Sequence, residues 1–164
     1  MSDFELDDAI TDTDAQNVNT NYPYMGIPVP YTLPLQVGIL HGLEIQICGD
    51  VKPDAGRFTF DFRKGNDIAF HFNIRFDDSE GKVVVRNSCL GGHWGNEERD
   101  APLFPFVQGQ RFEVRIRSTD QNYQVTVNGQ HFINYNHRIH ELSEIKALYV
   151  HGDLLLHQVN PYMT

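Results

Sequence analysis

Cysteine is scarce in this 164-residue chain. Cys48 and Cys89 form neither a Cys-x-x-Cys pair nor a Cys/His spacing, which argues against a disulfide framework and a structural zinc site. Both are read as free thiols. Long apolar runs are absent, so nothing is expected to span a bilayer. The opening MSDFELDDAITDTD lacks the basic and apolar segments of a secretory signal. No Asn-x-Ser/Thr acceptor occurs either. These absences lead to the expectation of a cytoplasmic protein that would reach the cell exterior only by signal-peptide-independent export. Positive charge is also short. The first basic residue is Lys52, whereas Asp3, Glu5, Asp7, Asp8, Asp12, Asp14, Glu44 and Asp50 precede it, and the net charge is -9. Beyond Lys52 acids and bases nearly cancel, so no broad basic face is expected to neutralise phosphates or anionic lipid. Nucleic acid and membrane insertion are therefore not expected.

Helical periodicity is weak throughout, with a short turn over residues 140–146 as the best candidate. What is present is alternation. Phe58, Phe60 and Phe62 are set against Arg57, Thr59, Asp61 and Arg63, and Phe112, Val114 and Ile116 against Arg111, Glu113, Arg115 and Arg117. A period of two puts one set in a core and the other on a polar face. Leu43, Ile45, Ile47 and Tyr123, Val125, Val127 continue the pattern, and Asn128-Gly129 between two such runs signals a type I′ hairpin. The fold class expected is all-β, an antiparallel sandwich of two packed sheets. Residues 1–27 are acidic, rich in Asn, Thr and Asp, and then punctuated by prolines. They read as a flexible tail ahead of a single domain over residues 28–164.

The most informative stretch covers residues 68–77. Ile68, Phe70, Phe72, Ile74 and Phe76 alternate with Ala69, His71, Asn73, Arg75 and Asp77. Parity places an imidazole, an amide and a guanidinium in a row on one strand face, an ordered set of donors and acceptors suited to reading hydroxyl stereochemistry. A solvated strand face would show the same alternation, so the row alone decides nothing. The next segments do. VVVRN sets Val83, Val85 and Asn87 on one face, Gly91-Gly92 can turn the chain, and HWGNEER brings Trp94, Glu97 and Arg99.

His-x-Asn-x-Arg, then Val-x-Asn, then Trp-Gly-x-Glu-x-Arg, in this order and with these gaps, resemble the galectin carbohydrate-recognition signature. VPYTLPL, PDAGRFTFDF, PLFPFVQGQRFEV and NYNHRI extend the resemblance over nearly everything after the tail. It implies a jelly-roll sandwich, a non-enzymatic lectin for lactose- and N-acetyllactosamine-type β-galactosides, and no metal or other cofactor. It also implies site roles. His71, Asn73 and Arg75 would take the axial 4-hydroxyl of galactose, with Asn87 and Glu97 at its 6-hydroxyl. Trp94 would stack on the sugar's less polar face, and Arg75, Glu97 and Arg99 would reach the next sugar. Partners would be glycans of glycoproteins or glycolipids, and a homodimer would supply the second site that cross-linking needs.

One departure is Ile74, where the family usually carries proline. Its parity points to the core, so the hydroxyl-binding groups survive while the strand's fine position is affected. Arg86 opposes Asn87 in parity and should face the core, where it needs a partner or a route to the sheet edge. Two other functions were weighed. A glycoside hydrolase would use Glu97 as its acid, but Arg75 and Arg99 beside it would favour the charged form. A galectin-like protein acting mainly through protein contacts would not need the intact seven-residue set. His131, His137, His140, His151 and His157 lie outside the signature and lack a ligand spacing, so they are read as structural or surface residues.

Overall fold

A computed structural model describes residues 26–164. Eleven strands follow in order: β1 (Tyr31–Pro34), β2 (Leu43–Val51), β3 (Arg57–Lys64), β4 (Asp67–Asp78), β5 (Gly81–Leu90), β6 (His93–Trp94), β7 (Arg111–Ser118), β8 (Asn122–Val127), β9 (Gln130–Asn136), β10 (Ala147–Gly152) and β11 (Leu154–Met163). A single 3-10 turn, Leu142–Glu144, falls where the short turn was expected. The strands form two antiparallel sheets, one ordered β1-β10-β3-β4-β5-β6 and the other β11-β2-β7-β8-β9. This is the expected two-layer jelly-roll sandwich.

Period-two alternation drives the layering. Phe58, Phe60, Phe62, Phe70 and Phe72 turn inward from the six-stranded sheet and are fully buried. They meet aromatic rings of the opposite sheet: Phe58 stacks on Phe112 at 5.4 Å between centroids, and Phe70 lies 4.6 Å from both Tyr123 and Tyr135. Burying each such ring contributes about 1.5–3 kcal/mol, enough to fix which face of each strand points out.

Ile68 departs from the simple alternation. Arg63 pairs with Ile68 and Phe62 with Phe70, so Ala69 is an extra residue that breaks the register with both neighbouring strands. Ile68 thus shares the face of Arg63 and lies opposite Phe70, a correction to the parity expected from sequence. From Phe70 to Ile74 the parity holds, and Ile74 is fully buried. Arg86 faces inward as expected, opposite Phe72. It reaches the edge of the layer, where its guanidinium donates to the carbonyls of Val84 at 3.0 Å and Asp100 at 2.7 Å.

The acidic segment assigned to residues 1–27 lies outside the described residues except for its last two. Of these, Ile27 donates its N–H to the carbonyl of Leu156 at 2.9 Å and packs against the core. The chain therefore already contacts the sandwich at Ile27.

Candidate functional site

Cross-strand register builds the outer face of the six-stranded sheet. β3 sets Arg57, Thr59 and Asp61 opposite Arg75, Asn73 and His71 of β4. On the other side of β4, His71 faces Asn87 and Asn73 faces Val85. The Gly91-Gly92 turn, with φ of 57° and 80°, folds β6 back so that Trp94 pairs with Cys89. β10, between β1 and β3, brings His151 beside Thr59. Together these residues line an open groove of about 550 Å³, with Arg57, Thr59, His151 and Gly152 toward one end and Asn87, Trp94 and Glu97 toward the other.

Six of the seven site residues expected from sequence line this groove: His71, Asn73, Arg75, Asn87, Trp94 and Glu97. The seventh, Arg99, does not line the groove but is bonded to Glu97, which does. Its Nε donates to Glu97 at 2.8 Å, and its Nη1 lies 3.2 Å from Asp78 and 3.3 Å from Glu80.

The polar side chains of the row are held by neighbours. His71 Nδ1 is 2.6 Å from Asp61 Oδ1, and His151 Nε2 is 3.3 Å from the other oxygen. Burial opposes the charge on Asp61, but the hydrogen bonds from His151 and His71 outweigh it and hold the carboxyl below its ordinary value. An ionised carboxylate only accepts, so His71 donates from Nδ1 and keeps Nε2 as its remaining polar atom. Asn73 donates to Thr59 Oγ1 at 2.8 Å and accepts from Arg75 Nε at 2.6 Å.

Arg75 is fixed by Asp78 at 2.8 Å, with Glu97 3.9 Å from its other terminal nitrogen. Hydrogen bonds from Arg99, the Glu80 N–H and Arg75 hold the Asp78 carboxyl far below the usual carboxylate range. Glu97 and Asp78 in turn keep Arg99 firmly protonated. Trp94 is 51% exposed and its ring lies 4.7 Å from that of His71, leaving an apolar face open to the groove. The arrangement offers fixed donors and acceptors beside a flat apolar surface, which is a binding geometry.

The residues that hold the row are not announced by the sequence. Thr59 and Asp61 of β3 and His151 of β10 reach the row only through cross-strand register, whereas Asp78 lies on β4 itself, three residues beyond Arg75. The signal for Asp61 was its outward parity on a strand neighbouring His71. His137, read as structural, is buried with Nε2 2.8 Å from the Thr119 carbonyl, and burial lowers its pKa. Among the described residues no cluster of three or more His, Cys, Asp or Glu could hold a metal ion, and no helix is long and apolar enough to cross a membrane.

The family model for galactoside-binding lectins matches residues 30–161. The chain belongs to the galectin family. It is 43% identical over 130 residues to galectin-3 of Oryctolagus cuniculus, an alignment that covers 79% of this chain and 53% of that protein. The chain spans about half the length of the curated galectin-3 relatives it matches. Among solved structures, sheep galectin-11 in complex with glycerol superposes with a TM-score of 0.73 at 30% identity, covering 84% of this chain and all of the other. A Caenorhabditis elegans galectin superposes with a TM-score of 0.75 at 27% identity, covering 85% of this chain and 94% of the other.

Proposed function

We propose that this chain is a lectin whose groove binds β-galactosides of the lactose and N-acetyllactosamine type without a metal ion. The observation that carries the reading is the His71-Asn73-Arg75 row, in which every polar group is oriented in advance by a protein partner. A hydroxyl placed above it can donate to His71 Nε2 and accept from the Arg75 guanidinium. The axial 4-hydroxyl of galactose meets that pattern while leaving an apolar C–H patch for Trp94. The equatorial hydroxyl of glucose points elsewhere and leaves the row unpaired, at a cost of about 1–3 kcal/mol per buried group. In this reading Asn87 and Glu97 take the 6-hydroxyl, and both line the same groove. Arg75 and Glu97, with Arg99 bonded to Glu97, are the residues assigned in this reading to the second sugar.

Glu97 is the one carboxylate among the groove-lining residues. Two-carboxylate glycoside hydrolysis would lack its second group there. Glycans of glycoproteins or glycolipids are the fitting partners, and cross-linking them would call for a dimer.

Retention on immobilised lactose tests the reading. The protein is expected to be eluted by free lactose, to ignore sucrose, and to bind equally well in excess EDTA. Loss of retention in EDTA with recovery in calcium would overturn the metal-free site, and no retention under any condition would overturn the function.

A further inference from the structure

Arg138 lies just beyond β9, a strand of the sheet opposite the groove, yet its guanidinium reaches three parts of the sugar site. Nη1 donates to Asn87 Oδ1 at 2.9 Å. Nη2 donates to the Asn96 carbonyl at 2.8 Å and to Glu98 at 2.9 Å. Beneath it lies the ring of Tyr135, with the guanidinium carbon 5.0 Å from the ring centroid. The Tyr135 hydroxyl is in turn 2.6 Å from Ser88 Oγ, next to Asn87 in the chain. A planar fork stacked on a ring and bonded at both terminal nitrogens has little freedom left.

We infer that Arg138 is a positioning residue that sets the polarity of Asn87, so that Asn87 presents an N–H to the groove and the 6-oxygen of the bound galactoside accepts from it. This rests on the lectin reading above. Two donors converge on one atom of the Asn87 amide, Arg138 Nη1 and the Ser88 backbone N–H at 2.8 Å, and that atom must therefore be the oxygen. Asn87 Nδ2 donates one hydrogen to the Gly95 carbonyl at 2.9 Å and keeps the other. Without Arg138 the oxygen loses a charged donor, and the amide becomes free to reorient toward the groove. The same side chain explains the glycine after Trp94. A Cβ at Gly95 would sit 2.9 Å from Arg138 Nη1 and 3.3 Å from Asn87 Oδ1. Gly95→Ala therefore presses on the Arg138–Asn87 contact itself, meeting side-chain atoms rather than backbone.

The test compares lactose with a lactoside deoxygenated at galactose C6, titrated into wild type, Arg138→Gln and Gly95→Ala, with thermal unfolding of each. Both variants are expected to bind lactose about tenfold more weakly than wild type. For the 6-deoxy ligand, which has no oxygen to accept from Asn87, wild type and variants should agree within about twofold. A general loosening of the loop would weaken both ligands alike, and that result, or unchanged lactose binding, overturns the role of Arg138. If Arg138→Gln fails to fold, Gly95→Ala decides. A wild type that ignores lactose overturns both readings, whereas one that binds lactose while the variants match it overturns only this one.

Discussion

Asp61 is the residue on which the row depends. It is 2% exposed, carries no direct role in the signature, and clamps His71 in one tautomer while His151 occupies its other oxygen. Its carboxyl is held below the ordinary value of about 3.9 in the folded state. A group with a depressed folded pKa stabilises fully above the unfolded value, and that contribution fades as pH falls through the folded value. Asp61→Asn should therefore lower the urea midpoint at pH 6, with the gap to wild type narrowing below about pH 4. A gap that stays constant down to about pH 2 would contradict a contribution from the ionised carboxylate. The signature residues are legible in the sequence because period two sets His71, Asn73 and Arg75 on one face and the order and gaps of the motifs that follow resemble the galectin signature. Asp61, His151 and Arg138 are not. Their role depends on partners up to 90 residues away, across strands or between sheets, which local pattern does not encode.

At the scale of elements, short polar stretches do the shaping. Ala69 introduces a register break that no glycine or proline announces, which is why Ile68 was assigned to the wrong face. The hairpin between β8 and β9 was easier to read. Its two-residue loop has Asn128 at φ 51° and Gly129 at φ 84°, as a type I′ turn requires. A Cβ at Gly129 would meet nothing within 4 Å. Gly129→Ala should therefore cost only backbone strain, about 1 kcal/mol in denaturant unfolding. Lactose affinity should not change, since β8 and β9 belong to the sheet opposite the groove. A cost near zero would contradict the turn type, and a large loss of affinity would contradict the separation of the two sheets.

For the whole molecule, the aromatic core and the groove are two faces of the same strands. The buried Phe60-Phe72 pair on one side and the Asp61-His71 pair on the other belong to adjacent positions of β3 and β4. Packing that fixes the first fixes the second, so the groove is built before any ligand arrives. The central claim is that this preformed row selects an axial 4-hydroxyl. Lactose and cellobiose differ only at that centre, and Trp94, the single tryptophan, stands beside His71 as a reporter. The most direct measurement is parallel calorimetric and Trp94 fluorescence titration with the two disaccharides. The account predicts saturable heat and an emission change with lactose and neither with cellobiose at the same concentrations; equal heats for both, or an emission that ignores saturating lactose, would contradict it.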